Sequence, residues 1–129
     1  NKYFNIEVEK AMTHKPISVP LNSTIQTCMK TMINTHYRRL TVLDGKEISG
    51  IVTGIDILRF LQENNYSHLK LDENVSAVMS TPVKYLMKHQ DISEVVKLIL
   101  SHNIGGLPVL NEINYLVGII TERNIVELL

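Results

Sequence analysis

Gly50-Ile51-Val52-Thr53-Gly54-Ile55-Asp56 is the stretch on which the reading of this chain turns. Ile48 to Val52, with Ile48, Ile51 and Val52 β-branched and apolar, has strand length, and it leads straight into a helical pattern from Gly54 to Glu63 with Ile55, Ile57, Leu58 and Leu61 apolar. The corner between them places a hydroxyl, Thr53, and a carboxylate, Asp56, three positions apart on the first helical turn. A near copy, Gly118-Ile119-Ile120-Thr121-Glu122-Arg123-Asn124, follows 68 residues later.

Working outward, the copy extends over most of the chain. Met12 and Met79, Ile25 and Ile92, Leu40 and Leu107, and Val42 and Val109 are 67 residues apart, whereas Gly50 and Gly118, Thr53 and Thr121, and Ile57 and Ile125 are 68 apart. One extra residue in a second hairpin accounts for the change. Such a steady register means two copies of a strand–helix–strand–strand–helix unit. The polar interval 63–72 divides them, giving residues 1–66 (first repeat with a lead-in) and 67–129 (second repeat). Each copy is too small to bury its sheet alone. The expected fold is therefore α/β, with two β-α-β-β-α repeats packed sheet to sheet about a pseudo-two-fold axis that creates two equivalent clefts.

Local signals agree with this division. Each repeat is led by a short apolar-edged turn, Val8–Met12 and Val75–Met79, and then a proline-marked extended segment, Lys15–Pro20 and Thr81–Leu86. Ser23-Thr24-Ile25-Gln26 and Asp91-Ile92-Ser93-Glu94 have the pattern of capping boxes, and apolar residues at helical spacing follow both. Asp44-Gly45 supplies turn residues between strands at Leu40–Leu43 and Ile48–Val52.

Composition excludes several function classes. The 13 basic and 13 acidic side chains cancel, so the positive excess expected of a nucleic-acid binder is missing; only local groups such as Lys84, Lys88 and His89, or Arg38-Arg39, could serve that purpose. A single cysteine, Cys28, excludes an internal disulfide and lies in a helical apolar pattern, as a buried structural thiol would. No apolar run reaches the roughly 20 residues of a membrane helix. The polar start Asn1-Lys2-Tyr3-Phe4-Asn5 lacks a signal-peptide core, and the expected location is cytoplasmic. The missing initiator Met leaves room for a larger parent protein. His14, His36, His68, His89 and His102 show no i, i+3 or i+4 pairing and no cysteine partner, so no metal site is expected. Neither a phosphate-binding glycine loop nor a nucleophile motif is present.

Met12-Thr13 and Met79-Ser80, Arg39-Leu40-Thr41-Val42 and Leu107-Pro108-Val109, and the two Gly-Ile-x-Thr-x-x-Asp/Asn segments occur in the same order in both copies. In these residues the chain, from about Val8 to Leu129, resembles a tandem pair of cystathionine-β-synthase (CBS) domains, a Bateman module. The resemblance implies a regulatory and non-enzymatic module with no required cofactor. Its clefts would bind AMP, ADP, ATP or S-adenosylmethionine as a regulatory ligand. It further implies a homodimer of CBS pairs, serving a regulated enzyme or transporter.

The site residues follow from this frame. Ionised Asp56 can accept hydrogen bonds from both hydroxyls of a ribose, and Thr53 can bond a sugar or phosphate oxygen. The same pair also reads as a capping box, and the two roles are compatible. Arg39, beside Arg38, holds the position at which the resembled family carries a basic residue for the ligand phosphate, and a guanidinium fork suits phosphate oxygens. Thr41 stands where the family usually has proline. The second copy has Gly105-Gly106 in place of the arginines, with Thr121, Arg123 and uncharged Asn124 at the corner. Ile17, Val19 and Val83 are candidate walls for an adenine ring, alongside Tyr85, and each also fits plain sheet core. The expected outcome is one loaded site at the first corner and a weak or empty second. The competing class is a structural dimerisation or docking module with empty clefts.

Overall fold

The computed structural model describes residues 5–81 and 84–128. In chain order it contains α1 (Val8–Ala11), β1 (Thr13–His14), β2 (Ser18–Pro20), α2 (Ile25–Thr35), β3 (Arg39–Asp44), β4 (Glu47–Thr53), α3 (Gly54–Glu63), β5 (Leu86–Met87), α4 (Ile92–His102), β6 (Gly106–Leu110), β7 (Leu116–Thr121) and α5 (Glu122–Val126), with 3-10 turns at His68–Asp72 and Val75–Ala77. It is a mixed α/β chain with two sheets.

Two compact units form, and they cut the chain differently from its repeats. The first unit spans residues 17–83; the second joins 1–16 to 84–129. The repeat boundary expected at 66/67 is thus a boundary in sequence, while the packing boundaries fall near 16/17 and 83/84. The reason is an exchange of lead-ins. In the first unit, β2 pairs parallel with β3 and β3 antiparallel with β4, and Ser80 from beyond α3 bridges to Ile51 of β4. In the second, β5 pairs parallel with β6 and β6 antiparallel with β7, and β1 from the chain start pairs with β7 through Thr13↔Ile119. Each sheet is therefore closed by the lead-in of the opposite repeat.

The registers explain the change in repeat offset. Leu43↔Ile48 and Leu110↔Leu116 occupy matching places, each just after a bulge, and four residues lie between the first pair but five between the second. The first turn is a tight one in which Gly45 takes φ +65, a conformation glycine adopts without a Cβ penalty.

Each unit has its own core, and the core residues correspond. Ile25, Cys28, Leu40, Val42, Val52 and Val75 are buried in the first; Ile92, Val95, Leu107, Val109, Ile120 and Val8 take the same places in the second. Fully burying an aliphatic side chain of this kind stabilises by about 1.5–3 kcal/mol, so a handful of such positions outweighs any single polar contact described below. Cys28 is buried, and desolvation raises its thiol pKa, which keeps it protonated and unreactive.

The lead-ins also explain two glycines. A Cβ on Gly50 would come 2.7 Å from Met79 Sδ and 3.1 Å from the Ser80 carbonyl oxygen, and one on Gly118 would clash harder with Met12 Sδ and meet the Thr13 carbonyl oxygen at 2.9 Å. The Met-Thr/Ser and Gly-Ile motifs are thus two halves of one contact.

The cap of α2 is shifted from expectation. Thr24, rather than Ser23, is the N-cap, its hydroxyl accepting from Thr27 N–H. Ser23 is instead buried, and its carbonyl accepts from Val75 N–H at 2.8 Å. Asp91 caps α4 as expected, but through Ser93 N–H. Among the described residues no helix is long and apolar enough to cross a membrane.

Candidate functional site

The first corner is built by three elements of one unit. Strand β4 ends at Thr53 and α3 starts at Gly54 without a loop. The helix start is held by a reciprocal capping box. Thr53 N–H donates to Asp56 Oδ2 at 2.8 Å, Thr53 Oγ1–H to the same oxygen at 2.9 Å, and Asp56 N–H to Thr53 Oγ1 at 3.2 Å. Gly54 N–H donates to the Arg38 carbonyl at 2.9 Å, which ties the helix to the loop before β3. The N–H groups of Gly54 and Asp56 are therefore used inside the protein.

What remains is the second carboxylate oxygen. Oδ1 of Asp56 lies 3.7 Å from Arg59 Nη1, and the Asp56 side chain is 16% exposed. At that distance the contact is a loose ion pair with a surface guanidinium, worth at most about 1 kcal/mol. A carboxylate has about four lone-pair sites, and the cap uses those of only one oxygen. Capping and ligand binding can thus share this residue.

Arg39 is the first residue of β3 and the cross-strand partner of Thr53, so the arginine and the corner share one end of the sheet. Arg38 is exposed beside it. Ile17 is half-buried, and its carbonyl accepts from Thr41 N–H and, at 3.3 Å, from Thr41 Oγ1. Thr41 is buried and also bonds Ser18 Oγ. Where the second repeat has Pro108, this threonine pins the edge strand β2 to β3. Val19 takes the plain sheet-core alternative, its side chain belonging to the core of the first unit. Val83 lies outside the described residues. Tyr85 is exposed.

The second corner repeats the cap and adds one bond from the amide. Thr121 N–H and Oγ1–H donate to Asn124 Oδ1 at 2.8 and 3.0 Å, and Glu122 N–H reaches the Gly105 carbonyl at 3.4 Å. The Asn124 amide then donates from Nδ2 to Thr13 Oγ1 at 3.2 Å. Arg123 points along its helix, with Nε 2.8 Å from Glu127 Oε1 and a side chain 86% exposed. Gly106, not a cation, pairs with Thr121.

The CBS-domain family profile matches residues 7–63 and 75–129, nearly the whole chain and both repeats. The chain belongs to the CBS-domain family. It is similar to protein MJ1225 of Methanocaldococcus jannaschii, 31% identical over 92% of this chain and 47% of that protein; the MJ1225 crystal structure superposes with a TM-score of 0.86 over 95% of this chain and 49% of that one. A CBS domain-containing protein of Dictyostelium discoideum is 30% identical over 95% of this chain and 90% of its own length. The CBS pair of protein MJ0100, solved with 5′-methylthioadenosine and S-adenosyl-L-methionine, is 24% identical with a TM-score of 0.83 over 95% of this chain and 94% of that one, and it shows the shared fold. The CBS pair thus spans about half the length of MJ1225 and nearly all of the Dictyostelium protein.

Proposed function

We propose that this CBS pair is a regulatory, non-catalytic module that binds an adenosine-containing ligand, AMP, ADP, ATP or S-adenosylmethionine, at the first corner. The observation that carries the reading is the second carboxylate oxygen of Asp56, engaged among the described residues by a 3.7 Å contact with exposed Arg59. Oδ1 would accept from the ribose hydroxyls while Oδ2 keeps the cap. Arg39, opposite Thr53 in the sheet, would face a phosphate or the substituent that replaces it, with Arg38 adding charge. The carbonyl edge of β2 and Ile17 would border the base. Thr121, Arg123 and Asn124 would make a weak or empty second site, because the amide is tied to Thr13 and the arginine to Glu127. Support also comes from the adenosyl ligands in the MJ0100 pair, which shares the fold. Regulation requires that the ligand bind two arrangements unequally, and the regulated partner would be an enzyme or transporter in the cytoplasm.

A thermal-shift panel of adenosine derivatives tests this. A ligand at one hundred times its dissociation constant adds about 2.7 kcal/mol, a rise of several degrees for a chain of this size. No rise with any of them at millimolar concentration would overturn the reading.

A second reading, dimerisation or docking, is favoured by one observation. Ile33 and Leu100 are exposed and 67 residues apart, and Leu58 and Val126 are exposed and 68 apart. Both units thus present apolar side chains at matching helical places, as a self-associating surface would. Sedimentation of Leu58→Glu and Leu100→Glu against the native chain tests a homodimer: both variants should be monomeric where the native chain is not.

A further inference from the structure

The second unit gathers ionisable groups that lie far apart in sequence. His89, in the turn between β5 and α4, has Nδ1 3.3 Å from Glu7 Oε2 and 3.8 Å from Glu9 Oε1. One ligand atom from each of the three residues lies within 4.8 Å of the others. The opposite ring nitrogen, Nε2, is 3.0 Å from Glu112 Oε1, in the hairpin between β6 and β7. Lys88 Nζ is 3.9 Å from Glu9 Oε2 and from Glu112 Oε1. Backbone bonds fix this arrangement: Val8 N–H donates to the Gln90 carbonyl at 2.8 Å, Glu9 N–H to the Lys88 carbonyl at 3.0 Å, and Ile92 N–H to the Ile6 carbonyl at 2.9 Å.

Glu112 holds the nearer of the two ring nitrogens, Nε2. With Nε2–H donating to it, the Nδ1 lone pair is turned toward two carboxylates, an arrangement that calls for a positive centre among them. A carboxylate behind a histidine whose other nitrogen binds a metal is the usual orienting device in metal sites. Three carboxylates against one lysine leave the cluster negative with a neutral imidazole. A proton on Nδ1 is one way to fill the space; a divalent cation brings twice the charge.

The first unit supplies an internal comparison. The positions 67 residues from Glu7, Glu9, His89 and Glu112 are Asn74, Ser76, Asn22 and Gly45, and these line an open depression with no charge from any of the four. The fold therefore does not require ionisable groups here.

We propose that Glu7, Glu9 and His89 form a binding site for a borderline divalent metal, zinc foremost, oriented by Glu112. Zinc binds nitrogen and carboxylate oxygen at about 2.0–2.2 Å, so tetrahedral donors stand roughly 3.4 Å apart, close to the separations around Nδ1. One imidazole and two carboxylates leave a position for water and disfavour magnesium, which takes oxygen ligands. The metal would clip the lead-in to the second unit and couple its affinity to folding.

Calorimetry of the 129-residue chain with zinc chloride, with magnesium chloride in parallel, tests the site. One zinc per chain is expected, with no magnesium heat at the same concentration. His89→Gln should weaken binding at least a hundredfold, Glu7→Gln and Glu9→Gln at least tenfold each, and Glu112→Ala roughly tenfold, whereas His102→Gln should leave it unchanged. None of these side chains is in the core, so the circular dichroism of the variants should match the native chain. Zinc should also shift the His89 imidazole resonances of the native protein. Absence of zinc binding at 0.1 mM, affinity unaltered by His89→Gln, or shifts confined to other histidines would each overturn the proposal.

Discussion

The two β-to-α corners share a backbone device and differ in one atom. Asp56 and Asn124 both close a reciprocal capping box on a threonine. The aspartate has an acceptor, Oδ1, beyond those its cap uses, whereas the asparagine has an amide donor there, one N–H of which goes to Thr13. Arg39 stands across the sheet from the first corner, but Gly106 stands across from the second. The lesson is that one structural role, the cap, can be kept while the side-chain chemistry beside it changes from a carboxylate to an amide.

The largest expected effect is on ligand affinity. Removing the carboxylate in Asp56→Ala should weaken binding of AMP or S-adenosylmethionine by about tenfold to a hundredfold, from the 1.5–3 kcal/mol of hydrogen bonds to a charged group. Calorimetry checks it, and an Asp56→Ala protein that binds as tightly as the native chain would break the contrast between the corners. Next in size are the glycines that receive the methionines. Gly118→Ala should destabilise by about 1–3 kcal/mol through overpacking, and Gly50→Ala by less, because its contacts are the looser pair; urea denaturation measures both, and the reverse order would count against the packing account.

The caps come third. Thr53→Ala and Thr121→Ala should each cost about 1 kcal/mol, and nearly equal losses would show that the shared device is equally strong in both units. The smallest effect belongs to Asn124→Asp. The Thr13 hydroxyl can rotate to donate where it had accepted, so stability should change by about 0.5 kcal/mol or less. With no cation added, ligand stoichiometry should stay at one per chain. A second bound ligand would show that the charge at this position alone decides occupancy.

Much of this was legible in the sequence because the signals were local or periodic. The run Ile48–Val52, the helix from Gly54 to Glu63 and the repeat offset each report a property of neighbouring residues, and the observed strand Glu47–Thr53 and helix Gly54–Glu63 follow them closely. The capping pairs were legible for the same reason. The Thr24 cap was missed because Ser23 and Thr24 are both good caps, and only the long-range bond from Val75 to the Ser23 carbonyl decides between them. Val19 was ambiguous because an extended segment does not disclose which face its sheet covers. The clustering of Glu7, Glu9 and His89 was invisible to any spacing rule, since about 80 residues separate the lead-in from the turn it meets. The exchange of lead-ins was hidden too: periodicity shows that two copies exist, not which copy's segment closes which sheet.

That exchange has a consequence for ancestry. Cleaved between Tyr66 and Ser67, either half would carry a segment for which it has no sheet and a sheet for which it has no segment. Each half would thus lack a pairing that the other supplies, the arrangement found in domain-swapped dimers. A single ancestral copy with its lead-in on the outside could have satisfied its sheet by trading that segment with a twin. Joining the two copies in one chain would make such a partnership independent of concentration.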